Sequence, residues 1–274
     1  MWSDTLMKRE AEFTKQAIVA LNGITWAKPV LERLKQAGGL KSENMPLMFE
    51  VRFAYELHRA GKVAEYEYSA GVGVSTIEFR IQGDITWLFE LVSIRTSQAA
   101  KKAITQTGLL YEQILTTNAE DDAQSEEAEM IKAQQKIGEK VFKDGAPTKF
   151  PMPIDNVYHV ILADMRGYLD EGGDVFDYRQ MAYGAPGIPS QYSWMIHYWK
   201  TDAEKLKPIK GLFEKSCPLR AARHIQERIH FLGFLCEREY QNGEIPRTAY
   251  YLPNPHMLTN EAAGKIYETF PLKK

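Results

Sequence analysis

Cysteine is scarce in this sequence: Cys217 and Cys236 are its only two among 274 residues. They are too few for a disulfide framework and are not spaced as zinc ligands. Long apolar runs are missing as well. No stretch of about 18 uncharged apolar residues occurs, so the sequence offers no membrane-spanning helix. Neither charge sign dominates, with 34 Lys and Arg against 36 Asp and Glu. That balance argues against a protein coating nucleic acid through a general basic field, but leaves room for a local basic groove. A Gly-Lys-Ser/Thr phosphate loop, a G-x-G-x-x-G after a strand and a G-x-S-x-G elbow are all lacking. Their absence removes the usual nucleotide-binding and serine-nucleophile readings. His197, His224, His230 and His256 show no paired metal spacing, and neither cysteine has a catalytic context. The start of the chain (Asp4, Lys8, Arg9, Glu10, Glu12) is charged and does not read as a signal peptide, so a cytoplasmic setting is expected.

What is present is an ordinary globular composition, 44% hydrophobic and 26% charged, on a chain long enough for a sizeable core. No internal repeat or low-complexity linker divides it. One mixed α/β domain over 1–274 is expected, with a helical lead over 1–43, a core over 44–165 and a C-terminal elaboration over 166–274. Periodicity predicts helices over 2–22 and 28–36, and a third from Pro46 to the Gly61 stop. Strands follow over 63–69, 75–81 and 86–94, reading as a meander with helices on one face. Further helices are predicted over 97–117 and 126–143, and a buried strand over 157–163. A basic helix over 218–228, a strand over 230–240 and extended segments in TAYYLPNPHML complete the pattern. The acidic run Asn118 to Glu129 reads as a solvated linker or helix start.

Three acids stand where apolar residues belong. On a wheel of 47–60, Glu50 falls in the apolar face among Phe53, Ala54 and Leu57, while Arg52, Tyr55, Glu56 and Arg59 fall on the other side, Glu56 being expected to face solvent. On the strand Thr86 to Ile94 both faces are largely apolar, and Glu90 interrupts the row Leu88, Val92, Ile94. Glu78 shares a face with Thr76 and Arg80, and a hairpin would set it beside Glu90. Acids so placed are costly unless they pair or bind a cation. Converging carboxylates suit a hard cation with oxygen ligands. For Glu50, pairing with a buried arginine or capping of a backbone amide competes with that reading.

Helix with a Glu, strand, strand with an acid, strand with a Glu, then another helix: this order resembles the core of the PD-(D/E)XK, or restriction-endonuclease-like, nuclease superfamily. The resemblance covers about 46–143, with 157–164 as the next core strand. It implies an α/β fold with a mixed central sheet flanked by helices. It further implies a divalent metal (Mg2+ or Mn2+) held by Glu78 and Glu90, with Glu50 as third ligand or water-positioning acid. The implied activity is hydrolysis of DNA phosphodiester bonds.

Two positions depart from the family pattern. Glu78 replaces the usual Asp, and Val92 stands where the family has a lysine that orients water and neutralises phosphate. A substitute cation is expected from the stripe Lys132, Lys136, Lys140, Lys143, with Lys136 first, Lys140 second and Gln135 as a polar contact. A plain solvated face is the competing reading of that stripe. Arg95 and Ser93 are further substitutes, and Gln106 and Tyr111 are a weak match to a Gln/Tyr helix of some members. Arg220, Arg223, His224 and Arg228 form a basic run able to contact phosphates. Tyr178, Arg179, Tyr183, Trp194 and Tyr198 suit base stacking as well as core packing. The expectation is a metal-dependent nuclease acting on DNA, a homodimer being left open. The alternative is a non-catalytic member of the fold that binds nucleic acid or serves structurally.

Overall fold

Pro29 and Pro46 stand in the first turns of two early helices, where a missing N–H costs nothing. A computed structural model of the chain describes residues 2–97, 104–107, 110–113, 125–169, 172–200 and 205–272; for 2–6, 104–107 and 110–113 it describes the backbone alone. The lead comprises α1 (Trp2–Leu21) and α2 (Lys28–Gln36), followed by α3 (Met45–Arg59). Strands β1 (Ala64–Ser69), β2 (Thr76–Ile81) and β3 (Thr86–Ser93) then run as an antiparallel meander. A small hairpin, β4 (Ile104–Thr107) and β5 (Leu110–Gln113), precedes α4 (Glu126–Gly138). A second hairpin follows, β6 (Phe142–Lys143) and β7 (Ala146–Pro147). Next come β8 (Val157–Asp164), α5 (Val175–Tyr183), and the pair β9 (Tyr198–Lys200) and β10 (Leu206–Pro208). The described chain closes with α6 (Ala222–Arg228), β11 (Phe231–Leu235), α7 (Glu244–Thr248), β12 (Tyr250–Pro253) and α8 (Asn260–Tyr267).

Six strands make one mixed sheet in the order β1-β2-β3-β8-β11-β12, with β3, β8 and β11 parallel and the outer neighbours antiparallel. Helices cover both faces. Trp87, Phe89 and Leu91 pack with α3 residues such as Phe49 and Phe53, and with Phe270. Leu88 and Val92 pack on the other side with Met130, Ala133 and Ile137 of α4 and with Ile225 of α6. Strand β3 is thus buried on both faces, as its sequence predicts. Among the described residues, no helix is long and apolar enough to cross a membrane.

Several expectations need correction. The span 97–117 is not a helix where it is described: β4 and β5 are strands, in keeping with the β-branched Ile104, Thr105 and Thr107. Helix α4 stops at Gly138 rather than Lys143, and the chain there packs so closely on 221 that a Cβ at 138 would lie 2.7 Å from the Ala221 Cβ. The strand expected over 230–240 ends at Leu235, and the basic helix begins only at Ala222. The helix 175–183 had no counterpart in the sequence reading, although Asp174 and Asp177 form its capping box. Glu56, expected in solvent, is buried, as is Arg52 on the same side of α3, because α1 and the chain around Gly243 cover that side. Of the acidic run, 118–124 lies outside the described residues, while Glu127 and Glu129 are buried rather than solvated.

Candidate functional site

The sheet comes apart locally at the predicted acids. The β2–β3 ladder runs from Ile81↔Trp87 to Phe79↔Phe89, and its next step would face Glu78 with Glu90. There the side chains replace main-chain pairing. The Glu78 N–H donates to Glu90 Oε2 at 3.3 Å, and the Leu91 N–H donates to Glu78 Oε2. On the other edge of β2 the register passes from Tyr66↔Phe79 to Tyr68↔Ile77, and between them Glu67 takes φ 54. A non-glycine residue in the left-handed region is strained and is found where surrounding structure demands it. The strands twist through this break, so Tyr66 and Phe79 face one core while Tyr68 and Ile77 face the other.

Each acid keeps its second oxygen for a cation. Lys140 Nζ lies 2.8 Å from Glu90 Oε1 and 3.4 Å from Glu78 Oε1. Two oxygens held by one ammonium are no farther apart than the sum of those distances, so the two carboxylates do converge. Lys149 Nζ also donates to Glu90 Oε1. Lys140 sits in the turn after α4, where the helix end at Gly138 swings it off the lysine stripe and inward. Thr148 fastens this turn, donating its N–H to the Val141 carbonyl at 2.7 Å and its hydroxyl to the Lys140 carbonyl at 3.3 Å.

Glu50 approaches from α3. Its Oε2 accepts the Tyr66 hydroxyl and lies 3.5 Å from Arg33 Nη1, which donates to the Tyr66 oxygen at 2.7 Å and to Glu67 at 3.0 Å. The arginine-pairing reading of Glu50 therefore holds, although Arg33 is partly exposed rather than buried. Burial raises the Glu50 carboxyl above its ordinary range, opposed by the Tyr66 hydrogen bond and by the charges of Arg33 and Lys140. Burial likewise pushes Glu78 well up, and the neighbouring Glu90 charge adds to it. Burial alone would lower the Lys140 ammonium, but the Glu78 and Glu90 carboxylates outweigh it and hold its pKa above the ordinary value.

Glu50, Glu78 and Lys140 line a cavity of about 550 Å³, with Arg33, Arg95, Lys132 and Lys136 among its other walls. Lys136, the first choice from the helix wheel, is exposed and pairs with Glu139 at 2.6 Å; the second choice, Lys140, is the one that meets the acids. Gln135 is exposed. Val92 packs on α4 in the apolar layer, Ser93 donates to Asp164 at 3.2 Å, and Arg95 donates to the Glu43 carbonyl at 2.8 Å. Gln106 and Tyr111 face each other in the β4–β5 register, their side chains lying outside the described residues. Arg220, Arg223 and Arg228 do not line the cavity: Arg220 is exposed, Arg223 pairs with Glu227 at 2.7 Å, and Arg228 donates to the Phe150 carbonyl at 2.7 Å. Tyr178 is buried and stacks on Phe234, whereas Trp194 is exposed. Sequence reasoning missed Arg33, Tyr66 and Lys149. Only Tyr66 carried a signal, as an aromatic residue on the alternating strand AEYEYS.

The donor set suits a hard cation in chemistry, since two carboxylate oxygens meet at one point and a third acid stands in the same cavity. Burial and the neighbouring Glu90 charge disfavour the ionised form of Glu78, and a nearby cation favours it. Among the described residues, however, no three His, Cys, Asp or Glu side chains are drawn together as a metal would hold them. The chain matches no family model, no curated protein and no solved structure.

A second buried polar cluster lies at the ends of β3, β8 and β11. Arg52 Nε donates to Glu237 at 3.0 Å, and Arg52 Nη1 pairs with Glu10. Arg166 reaches the same Glu10 at 2.6 Å, Asp164 at 2.7 Å and the Tyr240 hydroxyl at 2.8 Å. These groups satisfy one another and tie α1 to α3 and to the sheet.

Proposed function

We propose that the protein is a divalent-metal-dependent nuclease hydrolysing DNA phosphodiester bonds, with a restriction-endonuclease-like core. The observation that carries this reading is the meeting of Glu78 and Glu90 with Lys140 at the wall of a cation-lined cavity. The order of helix, three-strand meander, helix and parallel strand supports it. Glu78 and Glu90 would hold the metal, with Glu50 as the third acid. A divalent ion, when bound, supplies Lewis acidity towards a phosphoryl oxygen and a water of lowered pKa. The chain's own groups do the rest. Lys140, held above its ordinary pKa, stays protonated near neutral pH and acts as a fixed positive charge rather than a base. It takes the electrostatic part that Val92 cannot, facing the charge that builds on phosphate oxygens. Arg33, Arg95, Lys132 and Lys136 supply the phosphate-attracting surroundings.

The test is cleavage of plasmid and single-stranded DNA with Mg2+ or Mn2+, for wild type and Glu90→Ala. Metal-dependent cleavage abolished by the substitution is the expected result. A wild-type protein that binds no divalent ion and cuts nothing defeats the reading, and cleavage unchanged in Glu90→Ala places the chemistry elsewhere. A non-catalytic nucleic-acid-binding role is the second reading. It is favoured by Lys140 and Lys149 together neutralising Glu90, and DNA retention without cleavage is its signature.

A further inference from the structure

Lys149 reaches the site from a strained backbone. Its φ is 62, in the left-handed region. Both neighbours hold it there: the Thr148 N–H is bound to Val141, and Phe150 is wholly buried with its carbonyl accepting from Arg228 at 2.7 Å. The loop thus delivers one specific side chain, mostly buried, to Glu90 Oε1. That oxygen already accepts Lys140 at 2.8 Å. Two ammonium groups on one carboxylate oxygen repel each other, and they are not equivalent. Lys140 bridges Glu78 and Glu90, whereas among the described residues Lys149 bonds Glu90 alone.

We propose that Lys149 is an exchangeable cation: it neutralises Glu90 while no divalent ion is bound, then yields that oxygen and contacts the scissile phosphate. The proposal rests on the metal-dependent reading above. It makes Lys149 a catalytic residue supplied by the loop before β8. Lys140 is the fixed charge and Lys149 the mobile one.

The experiment is Mn2+ titration of wild type, Lys149→Gln, Lys149→Gly and Lys149→Arg without nucleic acid, alongside oligonucleotide binding in Ca2+ by fluorescence anisotropy. Glycine suits the left-handed backbone, so Lys149→Gly keeps the fold even where glutamine strains it. Removing the competing ammonium is expected to tighten Mn2+ binding about ten-fold and to weaken oligonucleotide binding several-fold. Arginine should hold both affinities near wild type. A merely structural lysine would not move the two affinities in opposite directions. Wild type that binds Mn2+ while both charge-removing variants bind it equally or more weakly overturns the exchange and leaves the nuclease reading standing. Wild type that neither binds Mn2+ nor cleaves DNA overturns both.

Discussion

Arg52→Met is the most exacting test of how the fold carries buried charge. Methionine keeps most of the length and bulk of arginine, so the change removes charge and hydrogen bonds more than volume. Arg52 is wholly buried and contacts Glu10 and Glu237. Glu10 retains Arg166 at 2.6 Å, but Glu237 loses the partner that donates to it at 3.0 Å. Breaking a buried ion pair from one side costs roughly 3–5 kcal/mol. A ceiling exists, because Glu237 can take up a proton instead of remaining charged. Burial already raises this carboxyl against the opposing charges of Arg52 and Arg166. Neutralising a carboxyl of ordinary pKa at pH 7 costs about 3.5 kcal/mol, and at pH 5 only about 1 kcal/mol.

The sign follows from linkage. In the variant, the folded-state pKa of Glu237 lies above its unfolded value, so folding binds a proton and the penalty grows as pH rises above about 4.5. Urea unfolding of wild type and variant at pH 5 and 7 measures it directly. At pH 7 a loss of about 3 kcal/mol is expected, lowering Tm by roughly 6–12 °C for a chain of this size. Most of that gap should close at pH 5. Adding Glu237→Gln to Arg52→Met should recover part of the loss at pH 7. A loss below about 1 kcal/mol, or one equal at the two pH values, would refute the reasoning.

Two further outcomes follow from the same electrostatics. Lys140→Met should reduce metal-dependent cleavage about a hundred-fold. Cleavage that stays within a few-fold of wild type counts against Lys140 as the cation that Val92 cannot supply. His197 gives a stability prediction: burial pulls it down, but the hydrogen bond with Asp177 at 3.0 Å and the nearby Glu127 carboxylate raise it to about 10. Its stabilisation, on the order of a few kcal/mol, is full below about pH 6.5 and lost as pH climbs through 10. His197→Gln should therefore lower Tm at pH 6 and lose that difference by pH 10.5, as thermal melts at the two values will register.

The helical lead, the meander and the double burial of β3 were legible because each rests on local periodicity that tertiary structure reinforces. Glu90 and Glu50 were legible for the same reason, as acids interrupting apolar rows. A wheel shows one helix at a time, so it assigned Glu56 to solvent and set Arg52 on the same polar side; only the packing of α1 and the approach of Gly243 bury them. Extending α4 to Lys143 made Lys136 and Lys140 look alike, whereas the helix ends at Gly138, a residue packed closely on Ala221, more than eighty residues away. Lys149 carried no sequence signal, since its value comes from a loop geometry that no local pattern encodes.

The broken ladder gives the two strand acids a common orientation. In both Glu78 and Glu90, Oε2 accepts a backbone N–H, and in both Oε1 faces Lys140. The backbone bonds fix each carboxylate about its own axis, so the cation-facing oxygens are aligned before anything binds. Such preorganisation is what electrostatic catalysis needs, because no rotation of the carboxylates has to be driven when charge develops. The longer Glu at 78 belongs to the same arrangement. Its carboxylate reaches across to the Leu91 N–H, satisfying a donor that the interrupted ladder would otherwise leave unpaired. Glutamine at either position could not serve both sides equally: if its carbonyl keeps the backbone N–H, its amide NH2 confronts the ammonium. A conservative-looking substitution at 78 or 90 therefore disturbs the strand pairing and the cation site together, which ties the local break in the sheet to the chemistry proposed for it.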